Sequence, residues 1–171
     1  LLRQLKDVSA LPSSIVAESL SAGDARIASL GGVLSEVTGG IGQSWQSYAV
    51  HGATRAGLAS ARERPGKHAE RYKPVTAGTV FYNPMRILIG SIAFVDEDDE
   101  PGITSPDYVV LKGKERVLDS RWFYYWLRSP LGKRCIQSLA RGAVRERMLF
   151  NRLAEGEVEL PNYETQVKAS K

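Results

Sequence analysis

Short apolar runs, each ended by a turn residue, limit what the middle of this 171-residue chain can fold into. Residues 79–83, 87–95 and 103–113 are rich in β-branched and aromatic side chains, and turn-forming or acidic residues separate them. Such runs predict short β-strands joined by tight turns. Helical patterns lie on both sides of them, without the regular alternation of βαβ units. We therefore predict an α+β fold with a mixed or antiparallel sheet and packed helices.

Helix signals lie at both ends of the chain. Residues 1–20 have an apolar stripe at helical spacing, and Pro12 is expected to break or kink that helix. Asp119 or Ser120 can cap a helix through residue 128, and Ser129 before a proline is typical of a second helix start. On that second helix, the side chains predicted to be buried are Leu131, Cys135, Ile136 and Leu139.

Residues 40–74 show no sustained period, so they are predicted to be mostly loop. This region carries a one-sided charge that favours contact with nucleic-acid phosphates, although a charge run is also typical of a solvated face. Its cationic residues, set against two carboxylates, are Arg55, Arg62, Arg64, Lys67, Arg71 and Lys73. Polar side chains that can hydrogen-bond to base edges precede them, namely Gln43, Ser44 and Gln46.

Two further arginine groups stand beside predicted strands and helices. Asn83-Pro84 predicts a turn in which the asparagine bonds locally and Met85 packs. Arg86 must then reach solvent or a partner, because burying an unpaired cation is unfavourable. The other group is Arg141, Arg145 and Arg147. Both groups are candidates for phosphate or guanine contacts, and the alternative is a solvated loop.

Charge and cysteine content narrow the setting. The formal net charge is +4, which permits nucleic acid as a partner. The single cysteine, Cys135, excludes an internal disulfide and favours a reducing, cytoplasmic compartment. No apolar stretch approaches the roughly 20 residues of a membrane span. The carboxylates of residues 96–100 lack calcium-loop spacing, so they predict an exposed turn without a metal ion. No cofactor or catalytic residue is expected in the chain.

Several segments occur in the order and spacing of one known kind of domain. They are "RYKPVTAGTVFYNPMRILIGSIAFV", "PGITSPDYVVLKG", "DSRWFYYWLRS" and "ARGAVRERMLFNRLAEGEVELPNYETQ". Together they resemble a target-recognition domain in the specificity subunit of type I restriction–modification systems. The resemblance covers residues 27–166, and "LKDVSALPSSIVAESLSAG" is similar to the end of the helix that separates the two recognition domains of such subunits.

This resemblance implies an organisation and a role. Residues 1–22 would be the end of one spacer helix, 23–161 a single target-recognition domain, and 162–171 the start of a second spacer helix. The chain, which does not begin with methionine, is expected to be part of a longer protein. It would read one half of a split site in double-stranded DNA without catalysing a reaction. Its expected partners are methyltransferase (modification) subunits and a restriction-translocation subunit, without a membrane.

Two other classes of function stay open at this point. Asn83-Pro84 beside an aromatic residue is similar to the Asn-Pro-Pro-aromatic signature of DNA adenine methyltransferases, which would make the chain a fragment of a methyltransferase or nuclease. Met85 and Arg86, however, stand where a second proline and an aromatic ring are needed. The other alternative is a protein-interaction module whose apolar helices bind protein.

Overall fold

The computed structural model describes residues 2–61, 63–140 and 147–171. Its α-helices are α1 (Leu2–Leu20), α2 (Leu30–Val33), α3 (Ser120–Arg128), α4 (Pro130–Leu139), α5 (Phe150–Leu153) and α6 (Tyr163–Ser170). Its strands are β1 (Arg26–Ser29), β2 (Leu34–Glu36), β3 (Ala49–Thr54), β4 (Gly57–Ser60), β5 (Lys73–Val75), β6 (Val80–Tyr82), β7 (Ile92–Phe94), β8 (Gly102–Thr104), β9 (Val109–Gly113) and β10 (Glu157–Leu160). Short 3₁₀ helices are found at Gly42–Ser47, Ala69–Arg71 and Ile87–Ile89.

These elements confirm the predicted α+β class. Strand β3 pairs in parallel with β8, whereas β8 pairs antiparallel with β5, so the sheet is mixed. The chain divides into two compact units. The terminal unit consists of Leu1–Ser35 and Gly113–Lys171, and the middle unit is Glu36–Lys112. The division predicted at residues 22/23 and 161/162 stays a prediction.

In the terminal unit, helix α1 packs against α3 and α6, and α3 packs against α4. The indole of Trp122 is fully buried, and its Nε1–H donates to the hydroxyl of Ser19 on α1 at 2.9 Å. Asp119 caps α3, as predicted, by accepting a hydrogen bond from the N–H of Trp122 at 3.0 Å. Such a cap contributes about 1 kcal/mol.

One buried amide connects α6 to the rest of the terminal unit. Gln166 is fully buried, and its Oε1 accepts a hydrogen bond from the N–H of Asp119 at 2.8 Å. Its Nε2 donates to the carbonyls of Val117 (3.1 Å) and Pro161 (2.8 Å). The amide therefore links the start of α3 to the start of α6 and leaves none of these backbone groups unpaired.

The middle unit contains short strands and three 3₁₀ helices, with no α-helix among its described residues. Within it, β9, β6 and β7 are neighbours in one sheet, in that order, and another sheet has the order β4-β3-β8-β5. Both contribute to one buried apolar cluster, which consists of Ala53, Val75, Phe81, Ala93, Val95 and Val110. Because the cluster draws on both sheets, the loops that join the strands lie around a shared core.

The prediction that residues 40–74 are mostly loop is wrong. The segment contains β3, β4 and β5 as well as two 3₁₀ helices. Strands β3 and β4 form an antiparallel hairpin around Arg55 and Ala56. Their residues are mostly small, so the alternation of buried and exposed positions produces little hydrophobic periodicity in the sequence.

Two of the predicted strands are also too long. Residues 87–89 form a 3₁₀ helix that ends at Gly90, whose φ of 89° lies in the left-handed region, and only Ile92–Phe94 forms a strand. Residues 103–113 contain β8 and β9, because a turn closed by Tyr108 N–H and the carbonyl of Ser105 interrupts them. In both segments a turn lies within a stretch interpreted as one strand, and in the second segment the turn consists of Ser105, Pro106, Asp107 and Tyr108.

The helices follow the predicted caps but not every predicted face. Helix α1 continues without a break through Pro12, which is buried, so packing offsets the missing backbone donor. Ser129 caps α4, as predicted. Leu131 is 40% exposed, contrary to prediction, because α4 directs Gly132 and Ile136 inward. A methyl group on Gly132 would collide with the backbone of the preceding helix.

Candidate functional site

The connection between β6 and β7, named here the 84–90 loop, is fixed by its own hydrogen bonds. The Oδ1 atom of Asn83 accepts from the N–H of Met85 (3.0 Å), and the carbonyl of Asn83 accepts from the N–H of Arg86 (3.0 Å). The carbonyl of Arg86 accepts from the N–H of Ser91 at 3.1 Å. The predicted turn with a locally bonded asparagine is confirmed.

The side chains of the 84–90 loop divide into an inward and an outward set. Pro84 and Ile87 are buried and anchor the loop. Met85 and Ile89 are each 57% exposed, and Leu88 is 46% exposed. The prediction that Met85 packs is wrong, because the turn closed between residues 83 and 86 places this side chain at its apex. The three outward apolar residues were missed in the sequence because the run "ILI" was interpreted as buried strand.

Two predicted cations lie at this end of the middle unit. Arg86 is exposed on the 84–90 loop, and Arg55 is exposed at the β3–β4 turn. The hydroxyl of Ser91 donates to the carbonyl of Ala53 at 2.6 Å, which joins the loop to the end of β3. A methyl group placed on Gly90 would lie 3.9 Å from Cγ of Arg55. The fold therefore brings together two arginine-bearing turns that are 31 residues apart in sequence.

The acidic residues 96–100 lie at the opposite end of the strands. They form the predicted exposed turn, closed by a hydrogen bond from the N–H of Asp99 to the carbonyl of Asp96 at 3.1 Å. The chain then enters β8 at Gly102, which pairs with Ala49 at the start of β3. Since Arg55 follows the other end of β3, about five residue steps of roughly 3.3 Å separate the two ends of that strand.

A second group of predicted residues surrounds the Gly42–Ser47 and Ala69–Arg71 helices. These two 3₁₀ helices pack together, and the N–H of Ile41 donates to the carbonyl of Tyr72 at 2.7 Å. A methyl group on Gly40 would approach the backbone of Glu70 and Arg71 within 2.9 Å, so only glycine permits this close crossing. The predicted polar side chains on the first helix, all exposed, are Gln43, Ser44 and Gln46.

One carboxylate, Glu70, lies among the predicted cations near these helices. Arg64, Lys67 and Arg71 are exposed. A backbone hydrogen bond at Glu70 lowers the pKa of that carboxyl, and the nearby His68 lowers it further. Glu70 is therefore ionised at neutral pH and offsets part of the positive charge.

Lys73 differs from the other predicted cations. It is half-buried, and its Nζ donates to the carbonyl of Tyr108 at 2.7 Å. Its ammonium group thus has a role in holding β5 beside the turn before β9. The predicted contact of Lys73 with DNA stays a prediction.

The remaining predicted residues lie elsewhere. Arg62, Arg141 and Arg145 lie outside the described residues. Arg147 is exposed and belongs to the terminal unit, so it is not part of either group described above. Cys135 is half-buried on α4, and burial raises the pKa of its thiol.

The described parts of the chain, residues 2–61, 63–140 and 147–171, contain neither a candidate metal site nor a helix that could span a membrane. No group of three or more histidine, cysteine or acidic side chains in these ranges could hold a metal ion. None of the helices in the same ranges is long and apolar enough to cross a membrane.

Three solved structures share this fold. The first comes from work on complex assembly and conformational transition of the type I R-M system, with a TM-score of 0.61 and 15% identity over 85% of this chain. The second is the HsdS subunit from Thermoanaerobacter tengcongensis, with a TM-score of 0.57 and 17% identity over 85% of this chain. The third is the S subunit of a type I restriction-modification system from M. genitalium, with a TM-score of 0.57 and 11% identity over 98% of this chain.

These likenesses confirm the predicted resemblance at the level of the fold. The chain spans 40% of the length of the first two structures and 48% of the third. No protein-family model matches the sequence. No curated protein matches it either.

Proposed function

We propose that this chain recognises a sequence in double-stranded DNA and reads one half of a bipartite site for a type I restriction–modification complex. The observation that carries this proposal is the pair of exposed arginines, Arg55 and Arg86, on adjacent turns at one end of the middle unit. The fold shared with two type I specificity subunits supports the same role.

The charge distribution supports one orientation of the duplex. The acidic turn at residues 96–100 lies at the far end of β3 from Arg55. A polyanion is attracted to the arginine end and repelled from the acidic end, so the duplex approaches the 84–90 loop. Arg86 stands on a backbone fixed by hydrogen bonds, and bidentate contact with guanine O6 and N7 requires such fixed placement.

The second group of residues supplies a complementary role. Arg64, Lys67 and Arg71 are exposed cations suited to phosphates, which position a protein without reading sequence. Gln43 and Gln46 have amides that can pair with an adenine edge. We assign Arg62, Arg141, Arg145 and Arg147 to DNA contact on their sequence alone.

The terminal helices supply the proposed connections to partners. Helices α1 and α6 pack together in the terminal unit, as the paired ends of two spacer helices would. In the assembled system the spacers fix the distance between two half-sites and contact the methyltransferase subunits, with a restriction-translocation subunit joining them. The division into residues 1–22, 23–161 and 162–171 belongs to this proposal.

The proposed role is recognition without catalysis. The side chain of Asn83, which a methyltransferase would use on a flipped base, accepts a hydrogen bond from the N–H of Met85 within its own turn. The loop that follows carries Met85 and Arg86 instead of proline and an aromatic ring. Incorporation of a labelled methyl group into duplex DNA by the purified chain, abolished by Asn83→Ala, would overturn this part of the proposal.

Binding to random duplexes across a salt series tests the proposal as a whole. Selection at low salt should enrich one short sequence, and log Kd should change linearly with log salt as counterions are released. Binding without any enriched sequence would reduce the chain to a non-specific DNA-binding module. Absence of binding even at low salt would overturn the proposal and favour the protein-interaction alternative.

A further inference from the structure

The 84–90 loop exposes three large apolar side chains that are close together in sequence. Met85, Leu88 and Ile89 each have about half of their surface in contact with solvent. Scattered apolar residues are ordinary on protein surfaces, but three on one seven-residue loop form a local patch that favours contact with a partner.

The backbone of this loop gives the patch a fixed shape. The residues Ile87–Ile89 form a single 3₁₀ turn, in which successive side chains point about 120° apart. Since Ile87 is directed into the core, Leu88 and Ile89 both project outward. The N–H of Gly90 donates to the carbonyl of Ile87 at 3.0 Å and closes the turn. The backbone positions from which the two side chains project are thus fixed before any partner binds.

The charges beside the patch indicate the chemistry of its partner. Arg86 lies between Met85 and the 3₁₀ turn, and Arg55 lies across the neighbouring hairpin turn. No carboxylate occurs in the sequence from residue 71 to 95, and the acidic turn begins only at Asp96, at the other end of β7. An apolar projection flanked by arginines fits a polyanion with an apolar interior, which is the chemistry of stacked bases between phosphate chains.

We propose that Leu88 and Ile89 act as an apolar wedge that enters between stacked base pairs and distorts the bound duplex. This inference rests on the proposed DNA recognition and adds to it a specific mode of contact. Leucine, isoleucine and methionine wedges of this kind unstack one base step and bend the duplex by about 20–90°. Arg55 then contacts a phosphate beside the opened step, while Arg86 contacts a base edge next to it. The cost of unstacking depends on the step, so the wedge also contributes to sequence preference.

The test uses duplexes labelled with a donor and an acceptor fluorophore at their ends. The variants Leu88→Thr and Ile89→Thr remove the apolar tips without altering charge. Ile27→Thr is the matched control, because Ile27 is 61% exposed on β1 of the terminal unit. Each protein is titrated with the selected duplex, and both affinity and end-to-end energy transfer are recorded across a salt series.

The unsubstituted chain and Ile27→Thr should bind and bend the duplex. Ile89→Thr should bind about tenfold more weakly and bend it less, because it no longer stabilises the opened step. Its salt slope should equal that of the unsubstituted chain, since no phosphate contact is removed. Thermal unfolding of all three variants should match the unsubstituted chain, which separates loss of binding from loss of fold.

Five results would overturn the wedge. Binding by the unsubstituted chain without a change in energy transfer excludes bending, and an unchanged affinity of both loop variants excludes the contact. In these two cases the proposed DNA recognition survives. Equal weakening by Ile27→Thr assigns the effect to general surface polarity. Self-association of the chain that Ile89→Thr abolishes, with DNA binding intact, assigns the patch to a second copy. Absence of DNA binding by every protein overturns the proposed function as well as the wedge.

Discussion

In both the terminal and the middle unit, buried polar side chains form hydrogen bonds to the backbone, but they join different kinds of element. In the terminal unit, buried side chains such as Ser129 and Gln166 bond to backbone groups where helices begin or end. In the middle unit, Ser91 and Thr104 are also buried and bond to backbone carbonyls, but they hold strands and loops to one another. Because Ser91 bonds to the end of β3, the exposed apolar and cationic side chains of the 84–90 loop project from a backbone that is fixed by hydrogen bonds.

The two units therefore differ in what a substitution should change. Substitutions at the buried polar groups of the terminal unit should lower the free energy of unfolding and leave the intrinsic DNA affinity of the folded protein unchanged. Substitutions at exposed positions of the middle unit should lower DNA affinity and leave the free energy of unfolding unchanged.

The largest effect is expected for Gln166→Leu. The substitution conserves volume but leaves the N–H of Asp119 and the carbonyls of Val117 and Pro161 without these partners, so the free energy of unfolding should fall by about 3 kcal/mol. Gln137→Leu is the matched control because Gln137 is exposed on α4, and it should stay within about 0.5 kcal/mol. Urea unfolding measures both. Equal stability of the two variants would show that the buried amide does not hold α6 in place.

The second prediction concerns Arg86→Gln in the middle unit. Loss of a base-edge contact should cost about 1–3 kcal/mol on the preferred duplex and relax the choice at one base pair. Unfolding should be unaffected because the side chain is exposed. Arg134→Gln, an exposed arginine on α4, should change neither property. Binding to single-base variants of the selected duplex makes the measurement, and uniform weakening across all of them would instead make Arg86 a phosphate contact.

Ser129→Ala should have a moderate effect on stability alone. The hydroxyl accepts from the N–H of Gly132 (3.3 Å) and donates to the carbonyl of Trp126 (2.6 Å), so it joins the end of α3 to the start of α4. Its loss should cost about 1 kcal/mol, as for other helix caps. Ser138→Ala, at an exposed position of α4, provides the control. A change in DNA affinity of the folded Ser129→Ala protein would contradict the proposed separation of roles.

The smallest effect is the pH dependence of stability contributed by Tyr82, the last residue of β6. Burial raises the pKa of its phenol, so the folded protein keeps the proton at a pH where the unfolded chain loses it. The stabilisation is complete below pH 10 and is lost above it, by less than about 1 kcal/mol at pH 10.5. Tyr82→Phe should unfold with a weaker dependence on pH between 9 and 10.5. Parallel pH profiles for the two proteins would show that the phenol titrates alike in both states.

The sequence predicted those parts of the fold that depend on local chemistry. The caps at Asp119 and Ser129 have side chains that bond within their own turn, so their positions follow from residue type. Strands β3 and β4 were not predicted, because their small residues show little periodicity in the sequence. They form strands through pairing with each other and, for β3, with β8. Helix α1 was predicted from its periodicity, but its continuation through Pro12 depends on burial of that residue by the rest of the terminal unit.

The candidate site divides in the same way. The turn at Asn83 and the exposure of Arg86 followed from local rules. The meeting of Arg86 with Arg55, and the outward direction of Leu88 and Ile89, depend on a tertiary arrangement that periodicity does not report. A glycine directly after "ILI" was the one local signal of a turn, because the left-handed backbone at Gly90 ends the 3₁₀ helix.

Hydrogen exchange with and without the selected duplex tests most directly the claim that the middle unit contacts DNA. On addition of the duplex, backbone amides at Arg55 and in the 84–90 loop should exchange more slowly. Amides of α3 and α4 should exchange as they do in the free protein, and a duplex of scrambled sequence should protect the loop less. Protection confined to the terminal helices, with the 84–90 loop unchanged, would contradict DNA contact by the middle unit.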